Sequence, residues 1–200
     1  MVKLDEKSKI VRMLIFASAI ISLIFFSVLL SISLNVYFHE LGHFIVADFY
    51  NLNPEMYINN VINIEDNFIR VNMEPVAYVQ YQNPGNTAEA IRKNIKITFA
   101  GPLANIIISI IFIISYVLIR LLVMKTLKRS IRQKLSRVGS YDSVSKSLKA
   151  RYTSRVLRIC FFIDVIFISL IVPSLISVIV NLSNIPGSDG AFLRELIRQL

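Results

Sequence analysis

"SLNVYFHELGHFIVADFY", Ser33 to Tyr50, contains both histidines of the chain, His39 and His43, with Glu40 between them. It closes an apolar run whose stretch from Val11 to Tyr37 carries one charge, Arg12. Imidazoles and a carboxylate are costly in a lipid-embedded helix and mark function there. Positions i and i+4 share one helix face, so His39 and His43 can offer two ring nitrogens to a single ion. Glu40 stands beside them as a general base. This HExxH spacing supplies two zinc ligands and the base of a hydrolytic site. In a soluble protein a hydrogen-bonded histidine pair would compete strongly with that reading. Within a span, the cost of burying three polar groups favours the metal.

The rest of the chain fits a membrane setting. Of its 200 residues, 54% are hydrophobic, and the mean hydropathy is +0.60. Ile97 to Ile119 carries no charge and Ile159 to Leu182 carries only Asp164. A helix of about 20 apolar residues crosses a bilayer, so three spans are expected, at about 10–50, 96–120 and 158–182. Only Met13 to Phe16 precede the cleavage-like Ala17-Ser18-Ala19, too short a core for a signal peptide, so the first span reads as an uncleaved anchor. The single Cys160 excludes an internal disulfide and a cysteine-based zinc site.

The net charge of +9 is concentrated. Arg120 to Arg158 holds twelve Lys or Arg residues against one acid, Asp142. The segment 121–157 therefore reads as a basic loop lying against anionic lipid rather than nucleic acid. Leu127, Ile131, Leu135 and Val138 share a helical face within it, as in an interfacial amphipathic helix. Between the first two spans, residues 56–81 alternate apolar and polar. Ile62 and Ile64, a turn at Asp66-Asn67, then Ile69, Val71 and Met73 predict a hairpin. Val76 to Tyr81 predicts another strand, ended by Asn83-Pro84-Gly85.

Spans that alternate in direction bring HELGH, "AGPLAN" (Ala100–Asn105) and "NLSNIPGSDG" (Asn181–Gly190) to one membrane face. A catalytic zinc has three protein ligands and an open position, so a carboxylate must complete the set. Asp48 lies about 140° round the helix from His43 and points poorly. Asp164 falls at the opposite face. Asp189 follows the third span on the correct face and is the expected ligand, with Glu65 the alternative. Pro186, Gly187 and Gly190 break the helix there, and irregular backbone at that depth implies a wet or protein-lined cavity. Asn181 is placed to bind substrate, Asn105 to reach the site, and Gly101 and Pro102 to pack.

These motifs resemble the site-2 protease family of intramembrane zinc metalloproteases. HELGH is similar to its zinc signature, "FAGPLANIIIS" (Phe99–Ser109) to its second-helix motif, and "NLSNIPGSDG" to its Asn-Leu-x-Pro-x-Pro-x-x-Asp-Gly motif. "EPVAYVQY" (Glu74–Tyr81) is a weaker echo of the family's strand beside the active site. The resemblance implies one zinc held by His39, His43 and Asp189, and Glu40 as catalytic base. It also implies cleavage of membrane-spanning substrates captured by strand addition at the β-like segment.

The expected fold is mainly α: about three transmembrane helices forming a metalloprotease core, with a small β-hairpin or sheet at the catalytic face. Residues 1–200 would form one membrane-embedded domain, multi-pass in a bacterial cell membrane. Asn184, Ser188 and Ala191 depart from the family pattern, and neither a PDZ domain nor a helix after Asp-Gly is expected. Most of the 22 Lys and Arg residues lie on the face opposite the motifs, which the positive-inside rule makes cytoplasmic. The resemblance makes the catalytic face cytoplasmic, so orientation stays open. A catalytically silent protein of the same fold that binds a peptide is the alternative, and an intact Glu40 weighs against it.

Overall fold

A computed structural model describes residues 2–58, 62–65, 68–71, 77–138 and 142–200. The described part of the chain is mostly helical. Among the described residues the elements run α1 (Val2–Phe49), β1 (Glu55–Ile58), β2 (Ile62–Glu65), β3 (Phe68–Val71), β4 (Ala77–Gln80), α2 (Ala88–Val138), α3 (Asp142–Leu182) and α4 (Asp189–Arg198). Three stretches among the described residues are long and apolar enough to cross a membrane: Ile10–Phe49, Ala88–Ser130 and Thr153–Leu182. Their large side chains point outward; Phe26, Leu122 and Ile179 are each more than 60% exposed. That distribution suits lipid as the solvent, since hydrocarbon offers these groups the contacts a soluble core would provide.

One compact unit comprises Met1–Leu29 and Ile111–Ile171. In it Phe16 meets Phe162 edge-on at 5.8 Å between centroids, and the Tyr116 hydroxyl donates to Asp164 Oδ1 at 2.8 Å. The segment 121–157, expected as a loop, is helical almost throughout: α2 continues to Val138 and α3 begins at Asp142. The reason is legible in the residues. From Leu121 to Val138 there is neither glycine nor proline, and Leu, Lys, Arg and Gln are strong helix formers; the first breaker is Gly139. The side chains of Ile131, Leu135 and Val138, on which the amphipathic face was predicated, lie outside the described residues.

The second unit comprises Leu30–Ile110 and Val172–Leu200. Its interior holds a cluster of small polar side chains beside apolar ones such as Ile97 and Ile108. Ser31, Asn35, Asn105, Ser109 and Ser174 are all buried. Asn35 Nδ2 donates to Ser31 O at 2.8 Å, Ser174 Oγ donates to Asn35 Oδ1 at 2.9 Å, and the Ser109 and Ser174 hydroxyls lie 2.7 Å apart. These bonds tie α1, α2 and α3 together where apolar packing alone gives little selectivity in lipid; each such bond is worth about 0.6 kcal/mol. Close approach of α1 to α2 depends on Gly42, where a Cβ would lie 2.5 Å from the Ala100 carbonyl oxygen.

The helix α1 ends in a left-handed cap. Asn51 has φ 55°, its N–H bonds Asp48 O at 2.8 Å, and Leu52 N bonds Ala47 O at 3.1 Å. This double closure satisfies the last free carbonyls and turns the chain towards β1. The strand-like segment forms two antiparallel pairs, β1 with β4 and β2 with β3, with Met56 opposite Val79 and Ile64 opposite Ile69. The predicted hairpin and the strand near Val76–Tyr81 are therefore present. The turn at Asp66-Asn67, Met73 and Val76 lie outside the described residues.

The expected absence of a helix after Asp-Gly is corrected: α4 starts at Asp189. Ser188 caps it, its Oγ accepting from Ala191 N at 3.3 Å, and Asp189 and Arg198 complement the dipole at the two ends. Ser188, a departure from the family pattern, is thus the N-cap of the helix.

Candidate metal centre

His39 and His43 sit one turn apart near the end of α1, with ring centroids 4.7 Å apart and planes nearly perpendicular. Their Nε2 atoms are 3.1 Å apart. Asp189, the first residue of α4, brings Oδ2 to 2.9 Å from His39 Nε2 and 3.4 Å from His43 Nε2. Four ligands at about 2.0–2.1 Å from a tetrahedral zinc lie about 3.3 Å from one another, so these three separations match the ligand triangle of such an ion. Asp189 Oδ2 is buried and lies near both rings without an aligned hydrogen bond. An acceptor buried that way is costly unless a cation or donor meets it. Burial alone would raise the Asp189 carboxyl above its ordinary value of 3.8, but the imidazoles beside it outweigh burial and hold it at about 2. It is therefore an anion across the neutral range.

The second nitrogens of the rings decide which lone pairs face the centre. His43 Nδ1 lies 2.7 Å from the Ile97 carbonyl oxygen. A carbonyl only accepts, so Nδ1 carries a proton and Nε2 is the ring nitrogen that faces Asp189 and His39: protonated, it pairs with the carboxylate, and deprotonated, it offers its lone pair to a metal. Ligating histidines almost always donate their other N–H in this way. His39 Nδ1 is met by two amides, Asn105 Nδ2 at 3.1 Å and Asn181 Nδ2 at 3.2 Å. Amide oxygen and nitrogen have the same shape, and the ring's tautomer sets which faces it. With His39 Nε2 as a ligand, Nδ1 becomes a donor. A half-turn of the Asn105 amide then gives it Oδ1 as acceptor and lets Ser177 Oγ, 3.1 Å from the same position, donate as well.

Gly101, in the second-helix motif, is required by the rings themselves. A Cβ there would lie 2.6 Å from His43 Cε1 and 2.7 Å from His39 Cε1, closer still to His43 Nε2. Next to it, the wholly buried Pro102 has no N–H for the Thr98 carbonyl and so loosens the α2 ladder beside the carbonyl that receives His43. Gly101 and Pro102 thus act by packing, as expected.

A cavity of about 510 Å³ opens on the group. Glu40 lines it and interacts electrostatically with His43, His39 and Asp189. The strand residues Ala77, Tyr78 and Val79 form another wall, with the Val79 backbone close to the Glu40 carboxylate. β4 pairs with β1 along one edge, so Val79 presents its other edge to the cavity. Tyr81 also faces the space; burial, with the Asp189 charge as a smaller cause, raises its phenol, so it remains a hydroxyl donor at neutral pH.

Of the residues singled out from sequence, His39, Glu40, His43, Asn105, Asn181 and Asp189 all line this one cavity. Asp48 is exposed and not among the grouped donors. Glu65 ends β2, and its side chain lies outside the described residues. Sequence reasoning missed the Ile97 carbonyl, Ser177, Tyr81 and the Val79 backbone. A backbone acceptor leaves no mark in side-chain identity. Ser177, however, lies one turn before Asn181 and was discoverable by helical spacing.

The chain matches the model of peptidase family M50 over residues 25–198. Comparison with curated proteins found no match, and comparison with solved structures found none. The match covers HELGH, the Gly101-Pro102 motif and the Asp-Gly motif, the segments that meet at the cavity. The chain belongs to peptidase family M50, the site-2 protease family of membrane zinc metalloproteases.

Proposed function

We propose that the chain is an intramembrane zinc endopeptidase that hydrolyses peptide bonds of membrane-spanning substrates. His39, His43 and Asp189 would hold one zinc ion, and bound zinc supplies the Lewis acidity that polarises a scissile carbonyl and acidifies water. Glu40 takes the proton of the attacking water and returns it to the leaving amide nitrogen. The edge of β4 that is unpaired among the described residues receives the substrate as an added strand, which draws the peptide out of helical form and exposes its bonds. Asn105 and Asn181 orient His39, and Asn181 is also within reach of a bound peptide. The Tyr81 hydroxyl faces the same space. The basic segment 121–157 lies against anionic lipid, and the protein spans the membrane several times.

The observation that carries this reading is the His43 Nδ1 contact with Ile97 O at 2.7 Å. It fixes the ring so that Nε2 faces Asp189 and His39 Nε2, the orientation a metal ligand requires. Zinc content of the purified chain, with cleavage of a panel of single-span substrates, tests it. Wild type should hold one zinc per chain, and His43→Ala and Asp189→Ala should lose zinc and cleavage together. Loss of zinc from Glu65→Ala with retention in Asp189→Ala would overturn the third ligand.

A further inference from the structure

In the unit formed by Met1–Leu29 and Ile111–Ile171, a second cavity of about 570 Å³ is lined by Arg120, Ser154, Leu157, Arg158, Phe161 and Asp164, with Cys160 at its edge. Two guanidinium groups share it with one carboxylate. Arg120 Nη2 lies 3.7 Å from Asp164 Oδ2, and its Nη1 donates to the Tyr116 hydroxyl at 2.5 Å. Tyr116 in turn donates to Asp164 Oδ1, so that carboxylate is committed to α2. Arg158 has only a neutral partner: Nη2 donates to Ser154 Oγ, one turn back on its own helix, at 3.2 Å. Among the described residues no carboxylate pairs with it. The cavity therefore carries an excess positive charge and unused N–H donors.

Its position along the helices fixes the kind of anion it suits. Arg120 is the first charge after the uncharged run of α2, and Arg158 the last before the apolar run of α3. Both guanidinium groups thus stand towards one end of the membrane-crossing stretches, where long arginine side chains reach lipid headgroups. The remaining wall is apolar and open: Leu157 is 65% exposed and Phe161 47%. A free inorganic anion has no use for such a wall, whereas an acyl chain does.

We propose that this cavity binds the phosphate of an anionic phospholipid, held by Arg158 and Arg120 with Ser154 as a third donor, its chain lying along Leu157 and Phe161. Guanidinium forks match phosphate oxygens in pairs, which a diffuse basic surface does not. The proposal rests on the lipid reading of the basic segment made above and narrows it to one site.

The test uses the full-length chain, delipidated in detergent and titrated separately with phosphatidylglycerol, phosphatidylcholine and inorganic phosphate; bound lipid is counted by native mass spectrometry. Wild type should retain one phosphatidylglycerol in preference to phosphatidylcholine, and Arg158→Gln should weaken that binding about tenfold. The double variant Lys128→Gln/Arg129→Gln, outside the cavity, should bind as wild type does. Unchanged zinc content in all three proteins verifies that folding is intact. Full retention by Arg158→Gln, or equal losses in Arg158→Gln and the double variant, would overturn the site while leaving the general lipid reading standing. Absence of any phosphatidylglycerol preference in wild type would overturn both. Displacement of the lipid by inorganic phosphate at equal concentration would assign the site to a free anion and overturn the lipid proposal.

Discussion

Replacement of Gly101 by alanine places one methyl group against both histidine rings. Its Cβ would start 2.6 Å from His43 Cε1 and 2.7 Å from His39 Cε1, about 1 Å inside ordinary carbon contact. Neither ring has an easy retreat. His43 is held by the Ile97 carbonyl, and His39 is wedged against Asn105 and Asn181. Overpacking of this kind costs about 1–3 kcal/mol. Because the strain falls on the rings that would hold zinc, most of it should appear as lost metal affinity, about 5- to 150-fold at 1.4 kcal/mol per decade. Competition with a chelator of known affinity measures this, with thermal unfolding of the metal-free protein as the control for folding. A Gly101→Ala protein that folds and binds zinc as tightly as wild type would refute the placement of the rings.

Asn105→Ala removes an acceptor for His39 Nδ1 and should lower zinc affinity about 10- to 100-fold by the same chelator competition, while Asn105→Asp, which can only accept, should recover most of it. Loss of Ser188 by Ser188→Ala should cost about 1 kcal/mol through the α4 cap, read as a lower unfolding midpoint. The Asp189 carboxyl has a lowered value in the folded protein, so the stability it contributes is present above its ordinary 3.8 and fades as pH falls towards about 2. In the metal-free protein, Asp189→Asn should therefore be less stable than wild type at pH 6, with the gap closing over that acidic window.

Much of the fold was legible because lipid and water sort residues so sharply. Three apolar runs with at most one charge each announced the spans, and the alternation at Ile62–Val71 announced β2 and β3. In the basic segment a helix was expected only around Leu127–Val138, whereas α2 runs unbroken to Val138 and α3 begins at Asp142. Lys and Arg are good helix formers, and no glycine or proline stands between Leu121 and Val138 to stop them. The helix α4 was missed for a related reason: Ser-Asp-Gly reads as a turn, yet the same Ser188 hydroxyl that makes a turn also caps a helix. At the site, HELGH carried its own chemistry, whereas Asp189 depended on topology. The contact that fixes His43 is a backbone carbonyl, and no pattern of side chains reports it. Burial of Asn35, Ser109 and Ser174 was likewise hidden, since small polar residues in an apolar run look incidental until three helices bring them together.

Zinc content and substrate cleavage measured on a single preparation of Glu40→Gln separate metal binding from proton transfer. The variant keeps the size of the side chain and leaves His39, His43 and Asp189 in place. It should hold one zinc per chain, as wild type should, and lose cleavage by about a hundredfold or more. A Glu40→Gln protein that keeps its zinc and cleaves at the wild-type rate would contradict Glu40 as the base, and with it the proposed hydrolytic centre.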